Sequence, residues 1–131
     1  MESFKVHSKG FGTEIDITDK IKKSLTNNDK DGIMKIYSPG STNALVIMRY
    51  EKGVVEDFKR TLENIAPKNY LYDHQLTTDD DNGFAHIYSM ILGNYVLLPY
   101  RKKEALISDT HRVVLFDFDL RSSERTIFVD L

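Results

Sequence analysis

Two histidines, His74 and His86, bracket the acidic run Asp79, Asp80 and Asp81, and together with Asp81 they are the residues of this chain best placed by type to do chemistry. Two neutral imidazoles and a carboxylate suit a divalent metal with open coordination positions, zinc or magnesium being the cofactors this composition allows. The same groups serve equally as an acid and base pair, or hold a phosphate when the imidazoles are charged. A plainer arrangement has a histidine in a local hydrogen bond and the aspartate capping a helix, where the macrodipole favours acids anyway. An EF-hand calcium loop is excluded, because aligning Gly83 with the invariant EF-hand glycine puts Thr78 and Ser89 at the first and last ligand positions. His111, beside Asp109 and Arg112, is a further candidate, whereas His7 reads as an exposed strand residue.

The elements that must position these groups are legible as patterns. From residue 72 to 93 the chain reads YDHQLTTDDDNGFAHIYSMILG, a polar loop running into an apolar helix that begins at Asn82. Asn82, His86, Ser89 and Gly93 then recur at i, i+4, i+7 and i+11, one narrow small and polar stripe. Phe84, Ile87, Tyr88, Ile91 and Leu92 cover the other faces, so the stripe is expected to meet a close partner or line a cavity. Upstream, Ser38, Pro39, Gly40 and Ser41 have the Pro then Gly order of a type II turn. Ser41, Thr42 and the amides near Gly40 either cradle an anion there or form a plain turn, and the GK[ST] ending of a P-loop is missing.

The turn joins two strand patterns, 33–37 and 44–50. Alternation also marks strands at 3–8 and 125–131, with further strands at 95–100 and 112–118, the last apolar at both parities as if covered on both sides. Ile17, Ile21 and Leu25 space out a short helix after Thr18 and Asp19, while Val55, Phe58, Leu62 and Ile65 mark a longer one stopped near Pro67. The sum is about seven strands and about three helices, the helices lying between strand pairs rather than strictly alternating. That order predicts an α+β domain with a mixed or antiparallel sheet. A chain finishing in a strand also fits oligomerisation.

Bulk composition narrows the classes further. The 131 residues fit a single domain, 1–131, with no repeat or low-complexity tract. There is no cysteine, which removes thiolate chemistry and suits a reducing cytoplasm. A formal net charge of −2 and a pI near 6.1 disfavour a general nucleic-acid binder. No apolar run approaches the ~20 residues of a membrane span and no signal-peptide core opens the chain, so a soluble, cytoplasmic protein without a membrane partner is expected.

Four segments in order resemble one known family. FGTEIDITDKI matches its opening, SPGSTNALVIMRYEKGVVEDF its glycine-serine-threonine loop, strand and helix entry, YDHQLTTDDDNGFAHIYSMILGNYVLLPY its histidine block, and RVVLFDFDLRSSERTIFVDL its closing hairpin. The chain is thereby similar to the YjbQ-like proteins, associated with a secondary thiamine-phosphate synthase activity. The resemblance implies an α+β subunit, a homotrimer, and a pocket near the subunit boundary. It also implies a reaction in which a pyrimidine pyrophosphate joins a thiazole phosphate and pyrophosphate is released. On that likeness His74 and His86 bind phosphate or metal, Asp81 orients a histidine or a metal-bound water, Asn82 hydrogen-bonds substrate, and Gly40, Ser41 and Thr42 offer anion donors.

Two departures modify what the likeness implies. Arg49 stands where the family has a glutamate, and Ser108, Asp109, Thr110 and His111 replace a glycine-threonine-tryptophan-glutamine motif. A cation in place of a carboxylate favours an anion over a metal, which makes Arg49 a phosphate-binding candidate. The expected function is therefore a thiamine-phosphate synthase of weak or lost activity, or else a non-enzymatic trimeric module for a small phosphorylated ligand.

Overall fold

The computed structural model describes residues 1–131. Strands β1 (Glu2–Ser8) and β2 (Thr13–Asp16) lead into helix α1 (Thr18–Lys22), which tightens into a 3-10 turn at Lys23–Leu25. β3 (Asp31–Tyr37), β4 (Asn43–Arg49) and helix α2 (Lys52–Ile65) follow, then helices α3 (Asp73–Thr78) and α4 (Gly83–Leu92). The chain closes with β5 (Tyr95–Arg101), β6 (Glu104–Ala105), β7 (His111–Asp117) and β8 (Ser123–Asp130).

The α+β class is as expected, but the strands divide into two sheets. One has the order β1-β8-β3-β5-β6 and the other β2-β7-β4, and every pairing is antiparallel. Alternation in sequence tells which side of a strand is apolar, not which sheet it joins, so the division could not be read in advance. β7 explains how the layers stack. Val113 and Leu115 pack with Val6, Met34, Ile36 and Ile127 of the larger sheet, while Val114 and Phe116 pack with Val55, Leu62, Phe84 and Tyr88 of the helices. The strand apolar at both parities is thus the middle layer, buried between a sheet and α2 with α4.

Local chemistry sets the helix ends. α1 is preceded by Asp16, whose Oδ1 accepts from the Thr18 amide at 3.0 Å, and Ile17 at its N-cap, Ile21 within it and Leu25 in the 3-10 turn are fully buried. α2 begins at Lys52, just after the Glu51 carboxylate, which accepts from the amides of Gly53 at 2.8 Å and Val54 at 3.1 Å. α3 lies in the stretch expected to be loop. Its six residues include none that is buried, so it carries no apolar period to read. No helix is long and apolar enough to cross a membrane.

Candidate functional site

α3 and α4 together bring the two expected histidines into contact. His74 sits in the first turn of α3 and His86 in the first turn of α4, and their rings meet edge to face with centroids 4.6 Å apart. Gly83 allows the approach: a Cβ there would lie 2.7 Å from Cβ of Tyr72, the residue that leads into α3. Asn82 is the N-cap of α4 as expected, yet its side chain caps nothing. Its Oδ1 instead meets His74 Nε2 at 3.1 Å.

Each ring has one nitrogen held by a hydrogen-bond partner, a backbone carbonyl for His86 and the Asn82 amide oxygen for His74. The Ser41 carbonyl oxygen lies 2.9 Å from His86 Nδ1, so Nδ1 carries the proton and donates, leaving the Nε2 lone pair free. Asn82 Oδ1 likewise takes the proton of His74 Nε2, leaving Nδ1 free. The rings border an open cleft of about 620 Å³ whose lip carries Tyr70, Leu71, Ile87 and Met90. Tyr70, Leu71 and Met90 are strongly exposed, so an apolar rim surrounds a polar pair.

The other predicted residues divide. Ser41 reaches the site through its backbone, and Gly40 beside it adopts a positive φ of 119°, which the turn requires of a glycine. Thr42 turns inward: its Oγ1 accepts from Arg125 Nη2 at 2.9 Å and donates to Asp119 Oδ2 at 3.1 Å. Asp81 is exposed and bonds to neither histidine. Arg49 and His111 face each other in register at the opposite end of β4 from Asn43, roughly 20 Å along the strand. Within one chain they do not join the cleft. Ser89 is buried in α4, but Gly93 is not a close-packing glycine, since a Cβ there would meet nothing; its φ of 82° ends the helix and its carbonyl accepts from the Leu45 amide.

The side chains present do not complete a metal site. Zinc takes three or four protein ligands, and no group of three His, Asp or Glu residues is positioned to supply them. Tyr88 is no candidate base: burial, then the nearby Glu63 and Tyr72, pushes its phenol up to about 12, and the hydroxyl donates to the Ala66 carbonyl at 2.6 Å.

One group of functional interest escaped the sequence. Arg125 on β8 forks onto Asp117 at the end of β7, Nε to Oδ2 at 2.9 Å and Nη2 to Oδ1 at 2.8 Å. Burial alone would push the Asp117 carboxyl up. Hydrogen bonds from Arg125, Ser8 and the Asp119 amide, with the guanidinium charge, overcome burial and hold it below the usual carboxylate range. The signal available was a carboxylate closing an apolar strand covered on both faces, since such a group needs a partner.

Comparison with known proteins agrees with this architecture. The family model described as UPF0047 protein YjbQ-like matches residues 2–131. A UPF0047 protein of Archaeoglobus fulgidus is 32% identical over 113 residues, 86% of each chain. A crystal structure from Sulfolobus solfataricus, described as a YbjQ-like protein of unknown function, superposes with a TM-score of 0.86 at 26% identity, covering 98% of this chain and 94% of that one. A YjbQ/UPF0047 protein of Clostridium acetobutylicum gives the same TM-score at 21% identity, covering 99% and 98%, and so speaks for the fold alone. With the family model spanning almost every residue and the two-sheet architecture shared, the chain belongs to the UPF0047 YjbQ-like family.

Proposed function

We propose that the His74–His86 cleft binds a small phosphorylated heterocycle and that the chain is a weak secondary thiamine-phosphate synthase. The carrying observation is the imidazole pair at 4.6 Å, each ring held by an accepting partner, inside an apolar and aromatic rim. In the reaction, the bond from the pyrimidine methylene carbon to the pyrophosphate oxygen breaks and its electron pair leaves with pyrophosphate. The thiazole nitrogen lone pair forms the new carbon–nitrogen bond. Each ring, when it carries a second proton on the nitrogen its partner leaves free, donates to a phosphate oxygen and stabilises the leaving charge, and the rim orients the substrate rings. No step is assigned to a metal.

Assembly as a homotrimer in the cytoplasm is part of the proposal. Its support is the outer face of the larger sheet, where Ile33, Tyr37, Tyr95 and Leu97 stand exposed on adjacent strands, and a cysteine-free chain.

A second reading, a non-enzymatic trimeric module for a phosphorylated ligand, rests on Arg49, a cation where the family resemblance implies a carboxylate, at the end of β4 away from the cleft of its own chain. One experiment tests both. Purified protein is given both substrates with Mg²⁺, thiamine phosphate is measured, and His86→Ala serves as control. Product that the substitution removes supports the synthase. Product formation unaffected by it overturns the site assignment, while phosphate binding without turnover selects the binding module.

A further inference from the structure

Resting on the cleft reading above, we propose that Arg125 is a positioning residue that sets the tautomer of His86 through the loop at residues 38–42. Arg125 touches neither histidine. It holds Thr42 by its side chain, Nη2 to Oγ1 at 2.9 Å, while Asp119 accepts from the same hydroxyl at 3.1 Å. The Thr42 carbonyl accepts from the Phe118 amide at 2.9 Å, so this residue is anchored through both side chain and main chain. Thr42 is buried.

The consequence passes through one peptide plane. The carbonyl of Ser41 and the amide nitrogen of Thr42 belong to a single rigid unit, so fixing Thr42 restricts the direction of the Ser41 oxygen. That oxygen is the partner of His86 Nδ1 at 2.9 Å. A carbonyl cannot donate, so as long as the plane is held His86 keeps its proton on Nδ1 and turns the Nε2 lone pair outward. Arg125 is itself immobilised by the fork onto Asp117, which is 1% exposed. The carboxylate, the guanidinium, the threonine hydroxyl and the carbonyl form one relay from the sheet interface to the cleft.

The test reads the ring nitrogens directly. Long-range proton–nitrogen correlation spectra of ¹⁵N-labelled protein, taken where the imidazoles are neutral, are expected to show His86 with a protonated Nδ1 and an unprotonated Nε2. Thr42→Val replaces only the hydroxyl with a methyl, and Arg125→Lys keeps the charge but loses the fork; both are expected to lose the single-tautomer signature. Wild-type His86 found protonated on Nε2 overturns the proposal, and that measurement needs no variant to fold. Thr42→Val, shown folded by an unchanged circular dichroism spectrum, with wild-type ring signals also overturns it. Titration of wild type with inorganic phosphate checks the cleft separately, since rings that ignore phosphate sink the binding reading while the tautomer result stands.

Discussion

Arg125 and Asp117 join the two sheets: one lies on β8 of the five-stranded sheet, the other at the end of β7 of the three-stranded sheet, and two hydrogen bonds of 2.9 and 2.8 Å connect them. The pair sits where both sheets run out toward the loop that serves His86. Side-chain exposure of 12% and 1% places it in surroundings that screen charge poorly.

Breaking one side of such a pair leaves the other charge buried without a partner. Arg125→Met is expected to destabilise by about 3–5 kcal/mol. Combining it with Asp117→Leu should recover part of that loss, the remainder reflecting the Asp119 amide and the Ser8 hydroxyl left unpaired. Urea unfolding of the single and double variants measures both.

The same carboxylate gives the acid limb its sign. Asp117 has a folded value lowered from 3.8, so its contribution is fully present above the unfolded value and is lost as pH falls through the folded one. Asp16 is shifted the same way: burial raises it, and bonds from Thr18 and Arg112 bring it below 3.8. Stability should therefore fall as pH drops below about 4. Asp117→Asn should start less stable and fall less over that range, as thermal unfolding across pH will record.

Gly83 tests the approach of the two short helices. Gly83→Ala places a methyl 2.7 Å from Cβ and 2.9 Å from Cγ of Tyr72 and must push apart the segments carrying His74 and His86. The expected cost is about 1–3 kcal/mol of overpacking, together with weaker phosphate binding. Calorimetric titration alongside unfolding separates the two effects.

Asn82 is expected to act on the ligand through His74. Asn82→Ala removes the acceptor 3.1 Å from Nε2 and frees the ring, and phosphate affinity should fall roughly tenfold while the fold persists. Unchanged affinity would show that His74 needs no such support.

The exposed sheet face bears on assembly. Leu97→Glu places a carboxylate among Tyr37, Tyr95 and Ile33, and sedimentation should find the variant near the 15.1 kDa of one chain and the wild type near three times that mass.

How much of this was legible follows from what each residue buries. Val113 to Phe116 announce a doubly covered strand because four apolar residues in succession leave no face for water. Ile17, Ile21 and Leu25 announce a packed helical turn because a four-residue spacing gathers them on one face. α3 and the two-residue β6 bury too little to leave a pattern. The meeting of His74 with His86 is suggested by their residue types but by no spacing between them, since it depends on α3 and on the missing side chain of Gly83. Arg125 shares the parity of the inward Ile127 and Val129, but a strand pattern records burial and not the partner that makes burial of a charge tolerable.

The pairing of β1 with β8 carries a consequence for the order of events at the ribosome. Val6 lies in register with Arg125, so an early-made strand must wait for one synthesised more than a hundred residues later. At about 5–20 residues per second the delay is roughly 6–24 s. Throughout it the nascent β1 has an unpaired edge, and the loop beneath His86 lacks its guanidinium anchor. The contact from Arg125 to Thr42 therefore forms only with the last strand, and a nascent chain stalled before residue 125 would lack the clamp proposed to orient His86.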